Sequence, residues 1–269
     1  MLRAQVAVLV GVLLVGCGTT PSQPDEKSPA DLALPPVAAV ADYQLGGAYE
    51  PDSAVGVVIR DRSEKPVPGV YSICYVNAFQ TQPNESDWWS SRRDLLLQRA
   101  GQPVEDEGWP GEYLFDISTK SQRKRLATIV DNWFAGCASD GFDAVEPDNL
   151  DSFTRSGGLL DHADAVAFAR LLIASAHQHG LAIAQKNTAE IDGAGLGFDF
   201  AVAEECAVYD ECGDYQQMYG GRVIEIEYTD NGRRAFAESC ASSAGKRSIL
   251  LRDRNVTPAG DPDYVFQHC

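Results

Sequence analysis

The sequence is poor in the residues that most often bind metal ions and nucleic acids. Among 269 residues there are four histidines and no Cys-x-x-Cys pair, so we predict neither a metal site nor a cofactor. Lys and Arg number 22 against 39 Asp and Glu, which gives a net charge of −17. Because such a surface repels nucleic acid and favours cationic partners, we do not expect nucleic acid to bind.

Apolar runs long enough to cross a bilayer are also missing. The longest run near the N-terminus covers residues 6–15, about half of what a membrane-spanning helix needs. With Arg3 before it and the sequence LVGC at residues 14–17, it resembles the signal peptide and lipobox of bacterial lipoproteins. We therefore predict a signal peptide over residues 1–16 and palmitate on Cys17, which would anchor the exported protein to the outer face of the cell membrane by this lipid alone. An ordinary cleavage site or a transmembrane stub is the alternative.

The composition of the chain changes after the predicted lipid site. Residues 17–40 alternate Thr, Ser, Pro and charged residues without an apolar period, which predicts a flexible tether. Residues 41–269 contain no second linker of this kind and no internal repeat. We therefore expect them to form one domain of ordinary size, and we expect the protein to be a monomer.

Six cysteines remain after the predicted lipid site, an even number that fits disulfide bonds in an oxidising compartment. Six cysteines allow fifteen connectivities. Cys206 and Cys212 are close enough in sequence to form a disulfide across a short loop, and Cys240–Cys269 would tether the C-terminus. Cys74 and Cys137 then remain as a pair by elimination. We predict these three pairs, and other pairings stay open.

Short apolar runs alternate with helical patterns along the domain, which indicates β/α units and a parallel sheet. The eight runs cover residues 55–60, 70–76, 113–117, 142–146, 181–185, 198–202, 223–227 and 249–252. They predict an α/β fold with a single (β/α)₈ TIM-type barrel. The first and last helices should be short or missing, because little sequence separates the first two runs or follows the last. A doubly wound open sheet is the alternative, but no glycine-rich nucleotide loop follows any run.

Carboxylates follow three of these runs at the ends where a barrel carries its active site. Glu146, Asp148 and Asp151 follow the fourth run, Glu204 and Glu205 follow the sixth, and the seventh ends in Glu227. Acidic residues are common in turns, but acidic residues at the ends of three runs together indicate a catalytic site. Converging carboxylates suit glycoside hydrolysis, in which one protonates the leaving oxygen and another attacks the anomeric carbon or activates water.

The run GFDAVEPDNLD at residues 141–151 resembles the GfDgVePDNvD signature of glycoside hydrolase family 114, the endo-α-1,4-polygalactosaminidases and their relatives. Further matches follow in the family's order: YQL at 43–45, ICY at 73–75, GWPGE at 108–112, AHQHGL at 176–181, KN at 186–187 and EY at 227–228. The resemblance implies a (β/α)₈ barrel that hydrolyses α-1,4-linked, galactosamine-containing polysaccharide.

Carried over by position, the resemblance implies that Asp148 is the nucleophile or base and that Glu204 is the general acid. Lys186 is expected to hydrogen-bond the nucleophile and to hold it ionised. The candidate substrate-binding residues are Tyr75, Trp109, Glu146, Asn149, Asp151, Lys186, Asn187, Glu205, Glu227 and Tyr228. Where the family usually reads NEQC, this chain reads AEEC at residues 203–206, so its sugar contacts should differ there.

The bulk charge fits the substrate class that the resemblance implies. Unacetylated galactosamine polymers are cationic near neutral pH, and an acidic cleft would attract them. Tyr75, Trp109 and Tyr228 are candidates to stack on sugars or ammonium groups. The alternatives are a polysaccharide-binding lipoprotein without activity, or a glycosidase for a different amino-sugar polymer. A metal-dependent deacetylase would need a His/Asp triad that this sequence does not supply.

We predict that Cys17→Ala releases the protein from the membrane, because the substitution removes the thiol that would carry the lipid. The measurement is detergent partitioning and incorporation of labelled fatty acid, with the wild-type protein alongside. A variant that still partitions into detergent and still takes up the label would contradict the anchor.

Overall fold

The computed structural model describes Met1 and residues 32–269. Cys17, with nearly all of the predicted signal peptide and most of the predicted tether, lies outside the described residues. Residues 32–40, which the sequence analysis assigned to the tether, contact the barrel: Leu32 and Pro35 are buried, and the Tyr71 hydroxyl donates to the Ala33 carbonyl at 2.8 Å. Within the described part of the chain, no helix is both long and apolar enough to cross a membrane.

Nine strands form the main sheet, and two short strands form a separate ribbon. In chain order the strands are β1 (Val40–Gln44), β2 (Val55–Asp61), β3 (Tyr71–Asn77), β4 (Gln98–Arg99), β5 (Gln102–Pro103), β6 (Ala144–Asp148), β7 (Ala182–Lys186), β8 (Phe200–Glu204), β9 (Val223–Tyr228), β10 (Ser248–Arg252) and β11 (Phe266–His268). The order in the main sheet is β1-β2-β3-β6-β7-β8-β9-β10-β11, and its first eight strands are parallel.

The sheet curls until β10 lies beside β1, so the eight parallel strands form a nearly closed barrel. Side chains bridge the seam between these two strands. The Ser248 hydroxyl donates to the Ala39 carbonyl at 2.6 Å, and the Arg252 guanidinium donates to the Tyr43 carbonyl. β11 runs antiparallel to β10 and pairs with the edge of β10 that faces away from β9. The predicted barrel fold is confirmed.

Seven α-helices lie in the connections. They are α1 (Ser86–Ser90), α2 (Lys120–Asp140), α3 (Ser152–Arg155), α4 (His162–Gln178), α5 (Gly193–Leu196), α6 (Cys212–Tyr219) and α7 (Arg234–Ser243). Residues 45–54 and 62–70, which join β1 to β2 and β2 to β3, contain no helix, and none follows β10. The barrel is therefore short of helices at its seam, as the sequence predicted.

The two long helices have the buried apolar face and the N-terminal cap that their sequences predict. Helix α2 buries Leu126, Val130 and Phe134 at helical spacing. Helix α4 begins with a capping box, because the Asp161 carboxylate accepts from the Asp164 backbone N–H while the Asp164 side chain accepts from the Asp161 N–H. These helices cover the outer face of the barrel and leave its strand ends open.

One predicted strand is wrong, and one barrel strand was missed. Residues 113–117 form isolated bridges in the β3–β6 connection, where Leu114 and Phe115 are buried beneath loops rather than in the barrel. The missed strand is β1, whose Asp42 and Gln44 are fully buried yet polar. Arg252 forms an ion pair with Asp42, the Tyr49 hydroxyl donates to the same carboxylate, and Arg60 donates to Gln44. Because these contacts allow polar residues to be buried, β1 lacks the apolar run of an ordinary buried strand.

The structure contains the three predicted disulfides. Cys74 on β3 joins Cys137 on α2 and so fixes a helix to the barrel wall. The other two bridges are Cys206–Cys212 between β8 and α6, and Cys240–Cys269 between α7 and the C-terminus.

Candidate active site

The alternation of side chains along each strand decides which residues reach the barrel mouth. On β6, Ala144 lies in the interior cluster and Val145 in the cluster beneath the helices, so Glu146 and Asp148 face inward. The same alternation turns Lys186 on β7 and Glu204 on β8 inward. Three acidic groups and one basic group therefore meet at the C-terminal ends of neighbouring strands.

A cleft of about 850 Å³ opens above this meeting point. Its wall includes eight carboxylates and three basic side chains, so its net charge is strongly negative. The charged residues that line it are Asp61, Asp106, Glu107, Glu112, Asp148, Asp151, Glu204, Glu205, Arg155, Lys186 and Arg254. An acidic cleft of this kind attracts cationic ligands.

The Lys186 ammonium lies among three carboxylates at the floor of the cleft. Its Nζ is 3.0 Å from Glu146 Oε1, 3.0 Å from Asp148 Oδ1 and 3.2 Å from Glu204 Oε2. Lys186 is 2 % exposed and Glu146 is fully buried, whereas Asp148 and Glu204 keep 17 % and 23 % of their side chains exposed. The two carboxylates that reach the cleft are therefore Asp148 and Glu204. We call these four residues the Lys186 cluster.

A tyrosine supplies a further hydrogen bond to each carboxylate of the Lys186 cluster. The Tyr75 hydroxyl donates to Asp148 Oδ2 at 2.6 Å, and the Tyr43 hydroxyl donates to Glu146 Oε1 at 2.9 Å. The Tyr228 hydroxyl donates to Glu204 Oε1. Burial and the neighbouring carboxylates raise the pKa of all three phenols above the ordinary value, so they stay protonated donors at neutral pH.

The cluster separates the protonation states of its carboxyl groups. Burial raises the pKa of Glu146 to about 7, and repulsion from Asp148 adds to that rise against the pull of Lys186. Burial alone would also raise the pKa of Asp148, but the Lys186 ammonium and the Tyr75 hydrogen bond hold that pKa below its usual value. Burial opposes the charged form of Lys186, yet the surrounding carboxylates keep its pKa well above the ordinary value. Near pH 7 Asp148 and Lys186 are therefore ionised while Glu146 is about half protonated.

Two asparagines, which directly follow β7 and β6, hold neighbouring side chains of the site in place by hydrogen bonds. Asn187 follows β7 with a φ of 50°, and its side chain donates to Glu204 Oε2 at 3.1 Å and accepts from the Glu204 N–H at 2.8 Å. Asn149 follows β6 with a φ of 69° and donates to Asn77 Oδ1 at 2.9 Å. Asparagine tolerates this left-handed backbone better than most residues, which explains its use at both turns.

The rim of the cleft contains ion pairs and one exposed aromatic residue. Arg155 bridges Asp106 and Asp151 at 2.6 and 2.7 Å, and it also donates to the Asn149 side chain at 2.9 Å. Trp109 lines the cleft with half of its surface exposed, as a sugar-stacking side chain would. Asp151 therefore lies at the rim in an ion pair with a basic residue.

Two of the predicted substrate-binding residues do not line the cleft. Tyr228 faces inward, so its neighbour Glu227 faces outward, where it accepts from the Ala207 N–H and lies beside the Cys206–Cys212 disulfide. Glu146 points inward but lies beneath the cleft floor. The prediction of Glu227 overlooked the alternation of side chains along a strand, and the prediction of Glu146 overlooked its depth below the cleft. The other eight predicted substrate-binding residues line the cleft together with Asp148 and Glu204.

Ala203, where the sequence departs from the NEQC pattern, also faces outward into the core beneath the helices. It does not line the cleft. The departure that affects the cleft is Glu205, which pairs with Arg254 at 2.6 Å.

Several charged or hydrogen-bonding residues of the cleft were not predicted from the sequence, among them Tyr43, Asp61, Glu112, Arg155 and Arg254. Three of these five had a usable signal, since Tyr43 and Glu112 belong to matched motifs and Asp61 directly follows a predicted strand. Arg155 ends the short helix α3 and Arg254 lies in a loop, and the position of neither can be read from hydrophobic periodicity.

Asp148 and Glu204 lie close to each other at the floor of the cleft. Because one oxygen of each lies within hydrogen-bonding distance of the same nitrogen, these oxygens are separated by no more than the two Nζ distances together. The pair can therefore offer an ionised carboxylate and a second carboxyl group to one ligand in the cleft.

In sequence and in fold the chain is similar to known glycoside hydrolases. The sequence profile described as glycoside-hydrolase family GH114 matches residues 21–269. The crystal structure of Aspergillus fumigatus Ega3 in complex with galactosamine is similar, with a TM-score of 0.68 and 22% identity over 91% of this chain and 100% of that one. The glycoside hydrolase domain of PelA from Pseudomonas aeruginosa has a TM-score of 0.55 and 16% identity over 83% of this chain and 98% of that one. No curated protein sequence matches significantly.

We predict that Lys186→Met destabilises the fold more at pH 8 than at pH 5. Without the ammonium, the carboxyl groups of the cluster have pKa values above those in the unfolded chain, so folding is penalised once they ionise and the penalty grows as the pH rises. Removing one partner of a buried ion pair costs about 3–5 kcal/mol, which we expect at pH 8. The measurement is denaturant unfolding at both pH values.

The matched control is Lys65→Met, because Lys65 pairs with Asp140 while 74 % of its side chain is exposed. Such a surface pair contributes at most about 1 kcal/mol, and we expect little change with pH. Equal losses for Lys186→Met at pH 5 and pH 8 would show that the lysine does not hold ionised carboxylates.

Proposed function

The chain belongs to glycoside hydrolase family 114 and is a glycoside hydrolase, and we propose that it hydrolyses α-1,4-linked, galactosamine-containing polysaccharide. The observation that carries the proposal is the Lys186 cluster at the floor of an acidic cleft. The bound galactosamine of the similar Ega3 structure supports the substrate class. No metal or cofactor takes part in the proposed reaction.

Asp148 is the proposed nucleophile or base. An ionised carboxylate is needed for attack on the anomeric carbon or for activation of water. Lys186 and Tyr75 hold the pKa of Asp148 below its usual value, against the effect of burial, so the group is ionised over the whole physiological range. The same two contacts fix its two oxygens separately, at 3.0 Å from Nζ and 2.6 Å from the phenol, and so set its direction of approach.

Glu204 is the proposed general acid, which gives a proton to the leaving oxygen. The cluster retains a proton near neutral pH because burial raises the pKa of Glu146 to about 7. The Lys186 ammonium lies 3.0 Å from Glu146 Oε1 and 3.2 Å from Glu204 Oε2. We propose that Lys186 gives a proton to Glu204 and takes the Glu146 proton in its place when the substrate excludes water from the cleft, since three carboxyl groups around one ammonium compete for protons.

The cleft wall suits a cationic polymer. Eight carboxylates against three basic groups would concentrate a galactosamine polymer near the site and orient it at low ionic strength. Tyr75, Trp109 and Tyr228 line the cleft, and the exposed ring of Trp109 offers a face to sugars. We also propose that the protein acts as a monomer anchored outside the cell by lipid on Cys17, where such polymers occur.

We predict that Asp148→Asn and Glu204→Gln each lower hydrolysis by a factor of about 10² or more, the usual effect of losing an acid or base. Neither change should lower the melting temperature, because Lys186 keeps two carboxylate partners in each variant. The measurement is oligomer release from partly deacetylated galactosaminoglycan, read by mass spectrometry, with melting curves for every protein.

Glu227→Gln is the matched control, because it makes the same chemical change on the outer face of the barrel. We expect it to cut at the wild-type rate. If it is as damaging as Glu204→Gln, the assignment of the acid is wrong. A wild-type protein that binds the polymer without cutting it would indicate a binding protein, and cleavage of a glucosamine polymer alone would indicate another amino-sugar substrate.

A further inference from the structure

The two ends of the cleft differ in how their carboxylates are neutralised. Near Asp148, Asp61 accepts from the Gln82 amide at 2.7 Å, and Glu112 accepts from Asn77 and Gln80 at 2.8 and 3.0 Å. Within residues 32–269 neither carboxylate is in a salt bridge with a basic side chain. Both therefore remain available to an ammonium group of a ligand.

At the Glu204 end the neighbouring acidic group of the wall, Glu205, is already paired. Glu205 accepts from Arg254 Nη2 at 2.6 Å and from Nη1 at 3.1 Å, so both of its oxygens face the guanidinium. Arg254 also donates to Asp230 through Nε at 2.8 Å and Nη2 at 2.9 Å. An ammonium group here would find no free carboxylate oxygen on Glu205, and it would meet a cation.

Arg254 keeps one donor for a ligand. A guanidinium has five N–H groups, and the contacts with Glu205 and Asp230 use four of them, which leaves one N–H on Nη1. The guanidinium carbon lies 4.1 Å from the centre of the Tyr228 ring, and the Tyr228 hydroxyl donates to Glu204. Arg254 thus lines the cleft next to the proposed acid with a spare donor, which suits a carbonyl oxygen better than an ammonium.

We propose that Arg254 makes the subsite beside Glu204 select an uncharged, N-acetylated sugar, so that the enzyme cuts between a galactosamine and an N-acetylgalactosamine. This inference rests on the proposed function. The general acid protonates the oxygen that stays with the leaving sugar, so the leaving sugar occupies the Arg254 side. Its acetamido carbonyl accepts the spare N–H, while the sugar that reacts with Asp148 keeps a free amine near Asp61 and Glu112.

The test uses the full-length protein, a partly N-acetylated α-1,4-galactosaminoglycan and water enriched in heavy oxygen. Hydrolysis places the label on the new reducing end, so fragmentation by mass spectrometry identifies the sugar on each side of the cut. We expect free galactosamine at the labelled end and N-acetylgalactosamine at the new non-reducing end, each enriched over its average in the polymer. No enrichment, or the reverse order, overturns the inference, whereas absence of any cleavage overturns the proposed function itself.

Two variants should shift the preference in opposite directions. Arg254→Gln frees the Glu205 carboxylate and should raise kcat/KM on fully deacetylated polymer relative to partly acetylated polymer. Glu205→Gln removes a negative charge beside Arg254, so the guanidinium repels an ammonium group more strongly. The same ratio should therefore fall. An interaction of about 1 kcal/mol between partly solvated charges corresponds to a change of about fivefold in each direction.

Arg234→Gln is the matched control, because Arg234 pairs with Glu238 at an exposed position outside the cleft. It should leave the acetylation of the new non-reducing end as in the wild type. If Arg254→Gln and Glu205→Gln shift the ratio in the same direction, Arg254 acts through structure alone and the inference is wrong.

Discussion

The buried ammonium of Lys186 is the group on which the rest of the site depends. Three carboxylates from neighbouring barrel strands approach it within 3.2 Å, and no arrangement of three ionised carboxylates would be stable in a buried place without such a cation. The ammonium does not neutralise them completely, since one positive charge faces up to three negative ones. Burial of Glu146, together with this imbalance, raises its pKa to about 7 and so keeps a proton in the cluster near neutral pH while Asp148 stays ionised.

The barrel supplies this cluster through its regular geometry. Parallel strands end at the same side of the sheet, and inward-facing residues of β6, β7 and β8 come together there. The tyrosines of β1, β3 and β9 complete the hydrogen bonds of these carboxylates. The missing helices at the seam do not weaken this arrangement, because side chains of Ser248 and Arg252 join β10 to the backbone of β1.

Much of the fold follows from apolar runs and helical periodicity, and the two errors have physical causes. Strand β1 contains buried polar residues, so a rule based on apolar runs overlooks it, while residues 113–117 are apolar because they pack beneath loops. For the site, motif positions lead to Asp148, Lys186 and Glu204, which the fold brings together at the floor of the cleft. Glu227 lies on the outer face instead, because its position depends on which of two neighbouring residues points inward. The pairing of Glu205 with Arg254 joins residues 49 positions apart, and no local pattern predicts it.

The most direct test of the central claim is an infrared titration of the carboxyl groups in a Glu227→Gln background. That background removes the other carboxyl group whose burial raises its pKa to about 7. If Lys186 holds Asp148 ionised and leaves one proton on the cluster, one carboxyl group should lose its proton near pH 7, and its signal should vanish when Glu146 is also replaced by Gln. If no carboxyl group titrates near pH 7, or if the signal survives Glu146→Gln, the cluster does not store the proton that this mechanism requires.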